Sequence, residues 1–385
     1  MQALPLPPGV IEAIDCKRRA FLWAGTSKTS GSKCLVNWET VMKPLQEGGL
    51  GVRNLAAHNA ALLLKLMHRL FNPEQSAWAS WARQNTNLIT PTGPGSANHW
   101  QGLKALMPVY RSITRVSVGN GKDTSFWWDA WLGDFFLAAK FQILYSHCSQ
   151  PHCSVQQVVQ LGIHHLLSSR LSAGVVSELL SLNQLMDQVT LTDQMDKRTS
   201  NFCSADGRLS TAAVYKAAVH TQQTSPVFSF VWKSKAPQRV KFFAWLLLQD
   251  RIQNRCNLLK KHIVNNSTCE LCKVAPETSE HLIFHCPIAN QLWTQVLGSP
   301  TSFPPITELW NLSRPPSMPP KHYNTFVLLC CWCIWNHRHD VVFRQMRPCL
   351  QRLSTACRET CHLWAFRLKN EDNTISNHWS SVFPP

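Results

Sequence analysis

Four residues constrain this chain more than any other feature: Cys269, Cys272, His281 and Cys286, spaced Cys-x2-Cys-x8-His-x4-Cys. Two thiolates three positions apart can face one ion from a tight knuckle. An imidazole and a third thiolate then close a tetrahedron, the geometry Zn²⁺ takes with sulfur and nitrogen donors. Four protein ligands leave no open position, so the expected metal is structural. His285 competes for the nitrogen role, but it adjoins Cys286, and adjacent residues seldom chelate one ion cleanly. Pro287 suits the first turn of a helix expected over 287–296. Glu270, Lys273, Glu277 and Glu280 surround the cysteines and are poor company for inert core thiols.

The rest of the composition bounds the class. Hydrophobic residues make up 44% of the 385 and charged residues 16%, enough apolar material for a sizeable core. Sixteen Trp against four Tyr point to an aromatic interior. No apolar run reaches the ~18–20 residues of a membrane span. Residues 1–19 have no apolar core behind a basic lead, so no secretory signal is expected. Fifteen cysteines, an odd number and many of them in apolar or helical contexts, then read as reduced thiols in an intracellular, reducing setting, nuclear or cytoplasmic.

Lys+Arg is 38 and Asp+Glu is 22, a net charge of +16 that argues for an anionic partner, nucleic acid first. The charge is densest just before the metal motif. Residues 233–261 hold Lys233, Lys235, Arg239, Lys241, Arg251, Arg255, Lys260 and Lys261 against one acid, Asp250. These eight are the candidate phosphate contacts. Between them, Phe242, Phe243 and Trp245 read as helix packing rather than base stacking.

Along the chain, helical patterns run over 59–71, 211–220, 240–248 and several shorter stretches. Val116, Val118, Asn120-Gly121 and Phe126-Trp-Trp128 predict a hairpin over 116–128. The triplet Gly119-Asn120-Gly121 lacks a third glycine and a following helix, which argues against a phosphate-cradling loop. A second short strand is expected near 207–210. His147, Cys148, His152 and Cys153, with His164 and His165, could hold another metal, but their spacing fits no closed site. The expected fold is mainly α with a few short β hairpins, in several small helical units: 1–86, 100–200, 207–297 with the metal knuckle, and 305–385.

The motifs resemble a known family. Trp232-Lys-Ser-Lys-Ala-Pro-Gln-Arg-Val-Lys-Phe-Phe-Ala-Trp245, Asp250-Arg251, Asn257-Leu-Leu, Cys269-x-x-Cys272, Glu280-His281-Leu282, Cys286-Pro287 and Trp293 are similar to the reverse-transcriptase zinc-binding region of plant LINE-type (non-LTR) retrotransposons. The likeness runs over roughly 207–296. The family's zinc ligands fall on Cys269, Cys272, His281 and Cys286. Phe21-Leu-Trp-Ala-Gly25, Val36-Asn-Trp38 and Gly48-Gly-Leu-Gly51 resemble the stretch after the polymerase palm. Val118-Gly-Asn-Gly121 to Trp131 and residues 332–343 resemble later segments, with Arg338-His339 where the family usually has Arg-Asn.

What the resemblance implies is a C-terminal polyprotein segment lacking its palm. Polymerase chemistry needs adjacent carboxylates holding two Mg²⁺ ions. The sequence has no Asp-Asp pair, and beyond residue 300 its acids are sparse: Glu308, Asp340, Glu359, Glu371 and Asp372. The expected function is therefore a non-catalytic zinc-binding module that contacts RNA or DNA through backbone charge. The alternatives are a zinc-stabilised protein-interaction scaffold or a decayed fragment without a selected role.

Overall fold

The computed structural model describes residues 4–72, 77–90, 98–220, 225–298, 302–369 and 372–383. Helices dominate these residues, with a single two-stranded sheet. The chain divides into two compact units, each discontinuous in sequence: Met1–Ile14 with Arg53–Val219, and Asp15–Val52 with His220–Pro385. The four consecutive segments expected from the sequence therefore do not each form a unit, because Asp15–Val52 packs with residues far along the chain. Part of the stretch between the expected segments 1–86 and 100–200 lies outside the described residues. Among the described residues no helix is long and apolar enough to cross a membrane.

In the first unit, the helix Leu55–Phe71 starts at Asn54, whose side chain accepts from the Ala57 N–H at 3.0 Å. Leu63, Leu64, Met67 and Leu70 bury its apolar face against Trp100, Leu103 and Tyr110 of the helix Asn98–Ser112. Val214 of the helix Thr211–Val219 closes this core. His68 is buried there. The Tyr110 hydroxyl meets its Nδ1 at 3.2 Å and the Gly207 carbonyl its Nε2 at 3.1 Å, so it is satisfied within the core. A second core in this unit gathers Phe126, Trp127, Leu144, Val155 and Leu182.

The expected hairpin at 116–128 is not formed. Arg115–Ser117 instead pairs antiparallel with Lys197–Thr199, Val116 opposite Arg198. The reason is a buried carboxylate. Asp196 Oδ1 accepts the N–H groups of Gly119 and Gly121, both at 2.8 Å. Its Oδ2 accepts the Asp123 N–H at 3.2 Å and the Thr124 hydroxyl at 2.7 Å. The Gly119-Asn120-Gly121 loop thus wraps a side chain of its own chain. A β-carbon at Gly119 would overlap the Gln194 carbonyl.

Next to it, Arg198 clasps the buried Asp129 in a bidentate pair, 2.9 and 2.7 Å, over the Phe71 ring at 4.1 Å. Burial alone would raise the Asp129 pKa, but Arg198 outweighs it and the carboxyl sits below its ordinary range. The Phe126-Trp-Trp-Asp129-Ala-Trp131 motif is therefore a structural latch. Replacing Asp196 by Ala orphans four donors and is expected to cost about 2–3 kcal/mol, measured by urea unfolding. An unchanged unfolding midpoint would show that Asp196 does not hold the glycine loop. The second expected strand is reduced to one bridge, Cys203 with Leu209.

The second unit is built on the helix Tyr323–Arg344, whose residues 326–331 are wholly buried. It packs on Gln238–Leu248 and on Leu350–Ala365, which packs on Asn373–Ser381. Val240, Phe243, Ala244, Trp245 and Leu247 all face this core. Trp245 donates to the Gly48 carbonyl at 2.8 Å, so the Gly48-Gly-Leu-Gly51 turn rests on it. A β-carbon at Gly49 would overlap the Lys43 carbonyl, which accounts for the second glycine. Trp293 and Trp379 are also fully buried, the aromatic interior that the Trp count predicts. Cys330, Cys331, Cys333, Cys357 and Cys361 are buried thiols, pushed to higher pKa, as packing residues would be.

Candidate metal centre

Cys269 and Cys272 flank one tight turn. The Cys269 N–H donates to the Ala275 carbonyl at 2.8 Å, and the Lys273 N–H returns to the Cys269 carbonyl at 2.8 Å. Lys273 takes the left-handed conformation, φ 59°, to close the knuckle. Thr268 and Pro276 form a bridge across its base.

The other two ligands come from a single π-helical turn, His281–His285. Thr278 caps it, its hydroxyl accepting from the His281 N–H at 3.0 Å. The Cys286 N–H closes the wide ring on the His281 carbonyl at 2.6 Å. Leu282, Ile283 and Phe284 are fully buried and anchor the turn. Cys286 is then the residue before the helix Pro287–Leu297.

These elements bring four ligand atoms, three sulfurs and one imidazole nitrogen, within 4.8 Å of one another. Cys272 Sγ lies 3.4 Å from His281 Nε2. Cys269 and Cys286 are fully buried; Cys272 and His281 are half-buried. His285 is not in the cluster; it is exposed, with its ring edge-on to Phe284 and Phe303.

The electrostatics suit a thiolate site. The Cys269 thiol is hydrogen-bonded to Cys286, which pushes the Cys269 pKa up and draws the Cys286 sulfur below the ordinary thiol range. Backbone N–H groups of Leu271 and Cys272 point at the Cys269 sulfur, and those of Ile288 and Ala289 at the Cys286 sulfur. Burial, then the charge of His285, holds His281 below the usual imidazole range, so its neutral form can ligate. This donor set fits zinc: three sulfurs, one neutral nitrogen and no fifth ligand. The ion would cross-link the knuckle to the start of the Pro287–Leu297 helix.

Behind the knuckle lies an ion pair that the sequence does not announce. Glu277 is fully buried, and Oε1 accepts from Arg338 at 2.9 and 3.2 Å and from the Arg255 N–H at 2.9 Å. Its Oε2 accepts the Glu270 N–H at 3.3 Å. One carboxylate thus ties the metal loop to the long helix. In the sequence Arg338 stands among His337, His339 and Asp340, and nothing there signals the pair. Asn254 caps the helix Arg255–Lys260 and donates to Ser279, which donates to Asp250.

The eight candidate cations differ in exposure and partners. Lys233, Lys235, Arg239, Arg251 and Lys260 are exposed. Lys241 is half-buried and donates to the Trp232 carbonyl at 3.0 Å; burial, with Arg367 and Lys235 nearby, lowers its pKa. Arg255 turns inward to Glu270 and Asn266. Arg251, Lys260 and Lys261 line one cavity. At the other histidine–cysteine run, Cys148 accepts from the Trp127 indole at 3.2 Å and His147 Nδ1 faces the Ile143 carbonyl at 3.0 Å. Among the described residues, Cys269, Cys272, His281 and Cys286 are the one group of this kind gathered within reach of a single ion.

Comparison with known proteins falls on the same residues. A protein of Arabidopsis thaliana, which its name assigns to the ribonuclease H proteins, is 24% identical over 385 aligned positions. The alignment takes in 92% of this chain and 59% of that protein, so the chain spans about three-fifths of the relative's length. Residues 209–293 match the family described as zinc-binding in reverse transcriptase, and all four clustered ligands lie within that match.

Proposed function

We propose that the chain is a non-catalytic, zinc-stabilised module of a retroelement-derived reverse transcriptase, of the plant LINE-type, that contacts RNA or DNA through backbone phosphates. The observation that carries this reading is the closed Cys-Cys-His-Cys cluster inside the stretch matching a reverse-transcriptase zinc-binding region. Zinc there holds the fold and has no position for substrate. Exposed lysines and arginines of the same unit supply the phosphate contacts.

The non-catalytic part rests on the carboxylates. Asp340 pairs with Arg344, and Asp372 with Lys321 and His322. The Arabidopsis relative's ribonuclease H name belongs to a longer protein. Fifteen free thiols suit a reducing compartment, nucleus or cytoplasm.

The test is binding of RNA and DNA oligonucleotides against salt, alongside zinc content. Affinity is expected to fall steeply with salt and to vary little with base sequence. Replacing Lys233, Lys235, Arg239 and Arg251 with Ala is expected to reduce the log–log salt slope by about 0.7 for each phosphate of a single strand that is no longer neutralised. A chain that retains no nucleic acid at moderate salt but captures a protein would instead be a scaffold.

A further inference from the structure

On the helix Tyr323–Arg344, Trp332, Trp335, His339 and Phe343 recur every three or four residues and share one face. Phe243 stacks on Trp335 at 5.6 Å and 25°. Trp335 meets His339 at 4.4 Å, and His339 meets Phe343 at 5.3 Å. From Trp335 onward exposure rises, from 8% there to 72% at Phe343. An aromatic row that begins in the core and ends in solvent leaves its last ring open for stacking.

The ladder lines a cavity of about 320 Å³, together with Phe242, Leu246 and Arg239. That cavity shares Leu35, Ile252, Gln253 and Leu258 with a neighbour of about 220 Å³, lined by Arg251, Lys260 and Lys261. The neighbour shares Cys34 with a cleft of about 490 Å³ lined by Lys17, Arg19 and Lys28. Among the described residues, no Asp or Glu lines any of the three. One unit therefore carries a trough that is cationic at one end and aromatic at the other.

We propose that this trough takes a single-stranded nucleic acid, with phosphates along the cationic reach and a base stacked on Phe343 and His339. Charge complementarity selects the occupant: a strand that offers both anions and π-faces matches both ends. A duplex hides its faces in its own stack. The proposal rests on the nucleic-acid reading above and adds the strand form, the location and the stacking residue.

The test uses the full chain and four twelve-nucleotide probes: single-stranded RNA, single-stranded DNA, an abasic strand and a DNA duplex. A base-bearing single strand, RNA or DNA, is expected to bind about tenfold more tightly than the abasic one, the scale of one stacked base. Phe343→Ala is expected to abolish that preference and leave the salt slope unchanged. Phe343→Trp is expected to restore it. The Lys260→Ala, Lys261→Ala double variant is expected to lower the salt slope and keep the preference. Phe343 is exposed, so an unchanged melting temperature of its variant separates lost binding from lost folding. If abasic and base-bearing strands bind alike, or the duplex binds best, the stacking site is overturned while phosphate binding stands. If no probe binds at low salt, both readings fall.

Discussion

Stripping the metal with a strong chelator, or replacing Cys269 with Ser, lowers the melting temperature of this chain by about 10 °C or more. The cluster sits in a stretch with little regular secondary structure. The stretch 269–286 carries one π-helical turn and a bridge at its base, and all its cysteines are free. The buried Cys269 and Cys286 sulfurs lie within 4.8 Å of each other, and Cys272 Sγ lies 3.4 Å from the His281 imidazole. Such a cluster repels itself as soon as a second thiolate forms. Structural zinc contributes on the order of 10 kcal/mol in small isolated fingers. Here the larger core shares the load, and loss of roughly 4 kcal/mol gives the stated shift at about 2–4 °C per kcal/mol. Calorimetry with and without chelator, beside zinc content by mass spectrometry, checks it. One zinc per chain is expected, with none in Cys269→Ser; the exposed Cys16→Ser should match the parent. Equal melting of all samples would mean the cluster is not structural.

Breaking the Glu277–Arg338 pair comes second. Arg338→Met leaves a carboxylate at 0% exposure with backbone donors alone, and Glu277→Met leaves a guanidinium at 3% without its counter-charge. Removing one partner of a buried pair costs about 3–5 kcal/mol, whereas replacing both with apolar residues can be close to neutral. The expected order of stability is therefore parent, then Glu277→Met with Arg338→Met, then either single variant. Denaturant unfolding of all four completes the cycle. Because Glu277 also accepts the Glu270 N–H within the knuckle, each single variant should release zinc to a chelator faster than the parent. Single variants that unfold with the parent's midpoint would show that the pair does not brace the site.

The convergence of Cys269, Cys272, His281 and Cys286 was legible because chelation is a local demand: the knuckle and the π turn each fix their spacing within six residues. The helices were legible for a similar reason. Leu55–Phe71, Thr211–Val219 and Gln238–Leu248 carry their buried faces in their own periodicity. Pairing across distance was not. Nothing near Asn120-Gly121 says that Val116 will find Arg198, or that Asp196 will occupy the glycine loop. The Glu277–Arg338 pair joins residues 61 apart, and sequence shows only two ordinary charges. Direction was equally hidden. Lys241 and Arg255 count toward a basic run, yet one caps a carbonyl and the other braces Glu270.

The split of Asp15–Val52 from His220–Pro385 has a consequence for how the protein comes into being. At about 5–20 residues per second, the ribosome needs on the order of ten seconds or more to make the intervening residues. Throughout that interval Gly48 has no Trp245 to receive, and the apolar side of the early segment waits in solvent. An apolar face left uncovered on the nascent chain until the later residues emerge is the cost of interrupting one unit's sequence with another's.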